Sequence, residues 1–551
     1  MEILNIKNLS FAYPNTAEKA VDDMSFTVNQ GDFIVVCGES GCGKTTLLRL
    51  IKKELAPDGI KTGEIFYNGI LTEDLEDKVS ASQIGYVMQN PDAQIVTDKV
   101  WHELSFGLEN MGVPTNDIRR RVGEMASFFG IQQWFHQKTA ELSGGQKQLL
   151  NLAAIMVMNP KLLILDEPTA QLDPIAGAEF IGTLQKINKE LGLTVILVEH
   201  RLEEVFPICD KAMIMEKGKI IIYDNPRIAG RKLRNVDDNH NMLIGLPSSV
   251  RIFNSLNVQD ECPLTVKEGR DFLSKHFKND IDSLDVSNRL ADDKTETINI
   301  NNIWFRYERN LPDVLRGVNL KAYSGQLLSV LGGNGTGKTT MLSVLSGQNK
   351  AYRGNVVISG KKINKYSGSE LYRNNLALLP QNPQSVFLKS TVREDFLEIT
   401  KSMGYNPDEK NHLISSVTEK LGISHLLDKH PYDLSGGEQQ KSALAKLLLL
   451  KPKIILLDEP TKGIDAHSKE ILAEILKELK NNNLTVVMVT HDVEFAAKNS
   501  DRCAMFFDGV IISEDEPINF FSNNNFYTTA AVSGGDKMYK SGGKKMYKKG
   551  F

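Results

Sequence analysis

Two glycine-rich stretches, GESGCGKTT at 38–46 and GNGTGKTT at 333–340, close on a lysine and two threonines. The pattern G-x-x-x-x-G-K-[ST] fits Gly38 to Thr45 and Gly332 to Thr339. Each follows an apolar run (FIVVC, LLSVL) and opens a helical pattern, the context in which such a loop cradles phosphate. Gly38, Gly41 and Gly43, and Gly333, Gly335 and Gly337, let the backbone wrap close to an anion, with Ser40 and Asn334 in the same turns. The helix N-terminus behind each loop adds positive potential. Lys44 and Lys338 would bridge the β- and γ-phosphates of a nucleoside triphosphate. The Thr45 and Thr339 hydroxyls would ligate Mg2+, with Thr46 and Thr340 beside them. One such loop is compatible with a turn that binds nothing; two in matching context are not.

The chemistry then needs carboxylates. Asp166 and Asp458 end β-forming runs, KLLILDEP and KIILLDEP, where they would hold the metal through water. The adjacent Glu167 and Glu459 would polarise an attacking water. His200 and His491 close further strand-like runs, VILVEH and VVMVTH, and are expected at the γ-phosphate. Tyr13 and Tyr307 could stack on a base, although an aromatic beside a strand is more often core.

The elements that must position these groups are themselves duplicated. Tyr13 matches Tyr307, Lys44 matches Lys338, Gln89 matches Gln381, Asp166 matches Asp458 and His200 matches His491, at offsets of 291 to 294 residues. Each copy alternates apolar strands with helical patterns, which implies α/β architecture with buried parallel strands. The expected layout is a first domain over 1–227, a helical appendage and connector over 228–295, a second domain over 296–515 and a C-terminal segment over 516–551. In the appendage, GLPSSVRIFNSLN and PLTVKEGRDFLSKHF carry helical spacing, the latter opening on a capping-box pattern. An acidic connector, DIDSLDVSNRLADDKTE, follows. The Lys/Gly-rich tail from 533 is expected to be disordered.

Composition narrows the field. A net charge of −4 over 551 residues gives no reason to expect nucleic acid. Five cysteines without a Cys-x-x-Cys pair argue against zinc, iron–sulfur or a disulfide framework and suit buried thiols in a reducing compartment. The N-terminus lacks the marks of a signal peptide. No apolar run reaches the ~18 residues that would span a bilayer, so any service to a membrane is expected through partners.

LSGGQ at 142–146 and LSGGE at 434–438, between the glutamine segment and the DEP strand, resemble the signature of ATP-binding-cassette ATPases. The resemblance covers 1–227 and 296–515. It implies two P-loop NTPase domains of that type, each a mixed sheet core with a helical subdomain, that bind ATP and Mg2+ and hydrolyse ATP. It also implies an intramolecular head-to-tail pair. Ser143, Gly144 and Gly145 would face the nucleotide on Lys338, and Ser435, Gly436 and Gly437 the nucleotide on Lys44. Gln89 and Gln381 match the family's glutamine that senses metal and water. Asp173 and Asp465 match its loop at the dimer seam. Both copies keep lysine, glutamate and histidine, so two competent sites are expected.

A closer likeness lies in MQNPDAQIVTDKVWHELSFGLENMG, which resembles the ATPases of energy-coupling-factor importers of vitamins and transition-metal ions. DEPTAQLDP, VEHRLEEV and PLTVKEGRDFL share that likeness. It implies a membrane scaffold subunit and a small substrate-capturing membrane subunit, with residues 89–112 as the groove for the scaffold's helices and the chain at the cytoplasmic face of a prokaryotic cell membrane. The second copy lacks the FGxEN part of this segment. Sugar-importer ATPases share the chemistry, and ribosome-associated tandem cassettes share the two-domain plan. The latter typically carry DEPTNHLD, where this chain has DEPTAQLDP and DEPTKGIDA.

Overall fold

The structure is a computed structural model and describes all residues except 15, 17, 237–239, 257, 278–294, 525–528 and 530–551. The acidic connector, but for its last two residues, and the Lys/Gly-rich tail lie outside the described residues. The chain divides into two compact units, Met1–Gly269 and Arg270–Phe551, with the dividing line inside the helix Val266–His276.

In the first unit the runs that read as buried strands form a six-stranded sheet. Its order is Lys219–Asp224, Lys211–Glu216, Phe33–Gly38, Thr194–Val198, Leu162–Asp166, Ile84–Val87. All neighbours are parallel except the first pair. Every residue of Phe33–Gly38, Leu162–Asp166 and Thr194–Val198 is buried, which is why these strands are apolar without alternation. A second, antiparallel sheet joins Val21–Asn29, Glu2–Ala12, Ile60–Tyr67 and Ile70–Leu71. Here apolar residues alternate, as along Val21–Asn29, because one face alone is covered. The core joins Leu4, Ile6 and Leu9 of this sheet to Ile34, Val36, Ile164 and Ile196 of the other, with Leu47 and Leu48 of the helix Lys44–Ile51 among them.

The second unit repeats the plan strand for strand. Leu376–Leu379, Ile454–Asp458, Thr485–Val489, Leu327–Leu331, Arg502–Phe507 and Val510–Asp515 form its six-stranded sheet. Leu315–Tyr323, Glu296–Phe305, Arg353–Ile358 and Lys361–Lys362 form its antiparallel one. Helices Val100–Asn110, Thr115–Phe128 and Gly144–Met156 have counterparts in Val392–Ser402, Pro407–Lys420 and Gly436–Leu448.

The appendage begins as the helix Pro226–Val236, followed by Met242–Gly245, Ser248–Ser255 and Val266–His276. The capping box expected at Thr265 forms by half. Thr265 Oγ1 accepts from the Glu268 amide at 3.1 Å, but Glu268 Oε2 turns to the Leu264 amide at 2.8 Å. Arg227 explains the diversion, because its guanidinium takes both Glu268 oxygens at 2.8 and 3.0 Å and ties the last helix to the first. All five cysteines are buried free thiols. Among the described residues, no helix is long and apolar enough to cross a membrane.

Candidate functional site

Both glycine-rich loops leave the C-terminal end of a central parallel strand, the edge of an open α/β sheet where ligands collect. The geometry allows nothing larger than glycine at several points. Gly43 caps the helix Lys44–Ile51 with φ +100°, and a Cβ there would lie 2.0 Å from the Ala20 carbonyl oxygen. Gly38 has no more room, since its Cβ would meet the Met215 carbonyl oxygen at 2.4 Å. Gly337 repeats the left-handed cap at φ +110°. Gly41 and Gly335 have positive φ but open space around them, and Ser40 and Asn334 sit midway along the loops.

Lys44 is buried, its ammonium donating to the carbonyls of Gly38 and Glu39, both at 2.8 Å. Lys338 does the same to Gly332 and Gly333, at 2.9 and 2.8 Å. A buried cation held by the loop's own carbonyls, inside a turn of glycines, fits an anionic ligand. Thr45 Oγ1 donates to Asp166 Oδ1 at 3.1 Å, and Thr339 Oγ1 to Asp458 Oδ1 at 3.1 Å. Burial raises the Asp166 carboxyl above its ordinary range, helped by the charge of Glu167; it pushes Asp458 up to about 6. Hydroxyl and carboxylate oxygens so placed are the donor type that Mg2+ takes, and a cation there would restore both aspartates to the charged form.

Beside the aspartates stand Glu167 and Glu459, with left-handed backbones at φ +46° and +51°. For a glutamate this conformation costs about 1–2 kcal/mol. It persists because the next rung is fixed: Glu167 N–H donates to the Val198 carbonyl at 3.0 Å, and Glu459 N–H to the Val489 carbonyl at 2.8 Å.

The two carboxylates then part ways. Glu167 is gripped at both oxygens, by Gln89 Nε2 at 2.8 Å and by His200 Nε2 at 2.8 Å. Glu459 Oε2 instead accepts from the His491 amide at 3.2 Å and lies 2.9 Å from His491 Nδ1. The His200 side chain keeps 16 % exposure and that of His491 only 3 %, so the first is the more open to a ligand. Gln381 follows its strand at the same sheet end but makes no hydrogen bond like that of Gln89.

Tyr13 and Tyr307 hang over the loops. Each hydroxyl lies 3.0 Å from a threonine in the first turn of the helix behind the loop, Thr46 or Thr340, and each ring is set edge-on to a core phenylalanine. Their exposed faces leave room for a base. Ser143 and Ser435 are the N-caps of Gly144–Met156 and Gly436–Leu448, in full capping boxes with Gln146 and Glu438. Gly144, Gly145, Gly436 and Gly437 form the first turns, and neither serine bonds to the phosphate loop of its own unit. Asp173 and Asp465 are likewise N-caps, accepting from Ala176 and Ser468 amides at 2.9 and 2.8 Å.

Three participants escaped the sequence reading. Tyr86 donates its hydroxyl to Asp166 Oδ2 at 3.3 Å. Glu199, buried next to His200, accepts from the amide and hydroxyl of Thr169 at 3.0 and 2.7 Å. Thr169 was visible as the last letter of DEPT but not as a partner. A glutamate inside an otherwise apolar strand end was the available signal.

The arrangement can bind a polyphosphate at each loop, seat a divalent cation between threonine and aspartate, and align a water against a carboxylate. Comparison with known proteins finds relatives. The family described as ABC transporter matches residues 21–170 and 315–462. A Bacillus cereus protein named as an ABC transporter ATP-binding protein is 43% identical over 528 residues, covering 95% of this chain and 93% of that one. YkoD of Bacillus subtilis, named for HMP/thiamine import, is 30% identical over 528 residues, covering 95% and 93%. The solved structure of cbiO1 from Clostridium perfringens, part of the complex cbiONQ, is 31% identical, covers 43% of this chain and 96% of that one, and has a TM-score of 0.38.

Proposed function

This chain belongs to the ABC transporter family as a tandem ATP-binding protein and ATPase, and from that premise we propose that it powers an energy-coupling-factor type importer of a vitamin or transition-metal ion. The observation that carries this reading is the segment from Gln89 to Gly112, whose sequence resembles that group's docking region. In the structure it runs from Gln89, bonded to Glu167, into the helix Val100–Asn110, with Val96 and Trp101 exposed along it. A membrane scaffold's cytoplasmic helix laid there would touch the same segment that touches the reacting carboxylate. A relative named for HMP/thiamine import supports the vitamin reading. The chain would then lie at the cytoplasmic face of the membrane, beside a scaffold and a small substrate-capturing subunit.

At each site we propose the same set of roles, which the geometry supports. Glycine N–H groups and Lys44 or Lys338 bind the triphosphate, and Tyr13 or Tyr307 carries the base. Thr45, Asp166 and Gln89, or Thr339, Asp458 and Gln381, would hold Mg2+, which would supply charge neutralisation to the phosphates. Glu167 or Glu459 accepts the proton of the attacking water, and His200 or His491 donates toward the γ-phosphate. On the family resemblance, Ser143 or Ser435, with its glycines and helix N-terminus, would close over the nucleotide held by the opposite unit.

Affinity purification of the full chain from detergent-solubilised native membranes is expected to bring down two small hydrophobic proteins. Replacing Val96 and Trp101 with aspartate is expected to lose them while ATP binding stays. Recovery of ribosomal subunits instead, or of a sugar-binding importer's membrane pair, refutes the importer proposed here.

A further inference from the structure

Among the buried positions beside the proposed reacting groups at which the two units differ, one lies next to the histidine. The first has Glu199, 3 % exposed; the second has Thr490, fully buried. In the first unit Glu199 Oε1 takes the amide and hydroxyl of Thr169, and its Oε2 takes the His200 amide at 3.3 Å. One carboxylate thus stitches the turn after Glu167 to the strand end that carries the histidine. In the second unit the shorter Thr490 only meets the Thr461 hydroxyl at 3.3 Å and caps Asp492 at 3.0 Å. It does not occupy the His491 amide, and Glu459 bends back to do so at 3.2 Å.

The consequence is geometric. Where Glu199 accepts the histidine N–H, Glu167 extends to Gln89 and to His200 Nε2, each at 2.8 Å. Where no such acceptor stands, Glu459 folds onto its own histidine. Both carboxylates are held, but Glu167 is held by side chains that place it beside the segment expected at metal and water, whereas Glu459 is held by a backbone amide and must turn to reach that place.

We propose that Glu199 is a positioning residue that holds Glu167 extended, so that the site built on Lys44 hydrolyses ATP faster than the site built on Lys338. This rests on the reading of Glu167 and Glu459 as the groups that polarise water. Both sites remain competent; they differ in rate.

Single-turnover phosphate release from the full chain, with Mg2+ and ATP bound at both loops, tests it. Wild type is expected to release phosphate in two phases. Glu167→Gln removes the fast phase and Glu459→Gln the slow one. Glu199→Thr is expected to slow the fast phase about tenfold, with ATP affinity within about twofold of wild type. Glu199→Gln, which keeps the volume, is expected to slow it in the same direction, and it carries the test should the threonine variant not fold. A single phase in wild type, a fast phase untouched by both substitutions, or a parallel fall in affinity overturns the inference. If neither Glu167→Gln nor Glu459→Gln alters release, the reading of the glutamates fails, whatever Glu199 does.

Discussion

Gly41 and Gly43 stand two positions apart in one loop, both with positive φ, yet they are not equivalent. A Cβ at Gly41 meets nothing within 4 Å, so Gly41→Ala carries only the conformational cost, about 1–2 kcal/mol. A Cβ at Gly43 lies 2.0 Å from the Ala20 carbonyl, so the loop or the neighbouring strand must move. Gly43→Ala is expected to cost more than about 3 kcal/mol and to abolish ATP binding at the first site, whereas Gly41→Ala stays folded with weakened binding. Urea midpoints and equilibrium ATP binding on the two variants decide it. The sequence pattern marked both glycines alike, because a motif records residue type and spacing while the difference lies in what the rest of the unit brings near. The same limit hid Glu199. In VILVEH it reads as one polar letter, and only the return of Thr169 across the sheet end shows what it accepts.

Among the elements, the helix that begins at Ser435 is anchored differently from the one that begins at Ser143. Lys446 reaches from Gly436–Leu448 to Asp395 at 2.6 Å and to the Val386 carbonyl at 2.6 Å. Asp395, fully buried, also accepts from the Leu388 and Lys389 amides. In the first unit Glu103 takes the corresponding amides, of Val96 and Thr97, at 3.1 and 2.7 Å, but Ala154 stands where the second unit has Lys446, so no lysine at that helix position reaches Glu103. Breaking a buried pair from one side leaves an uncompensated charge. Asp395→Asn or Lys446→Met alone is therefore expected to cost about 3–5 kcal/mol, and the double variant less than the sum, by denaturant unfolding. Much of this level was legible: strands, loops, helix starts and the repeat follow from hydrophobic period and punctuation. The appendage helices were expected from their spacing, but the bond between Arg227 and Glu268 that diverts the capping box joins residues far apart in sequence, which local pattern cannot show.

The whole molecule is one plan written twice, and its energetics with ligand should count two. In a Glu167→Gln, Glu459→Gln chain, ATP with Mg2+ at 100 times the dissociation constant stabilises each binding unit by about 2.7 kcal/mol. Calorimetric scans are expected to show both units shifted upward by nucleotide, one shift lost in Lys44→Ala, and most of both lost when the divalent ion is chelated. A shift that survives chelation in full would remove Mg2+ from the account. Duplication also sets the two copies on unequal ground over time. The left-handed backbone at Glu167 and Glu459 is a standing cost to folding, one that the proposed role of these carboxylates against water would account for. An asparagine, at ease in that conformation, would relax the turn while ending the chemistry. Should one copy ever be released from selection, mutational drift at this position runs downhill, and the unit that stops burning fuel becomes the sturdier of the pair.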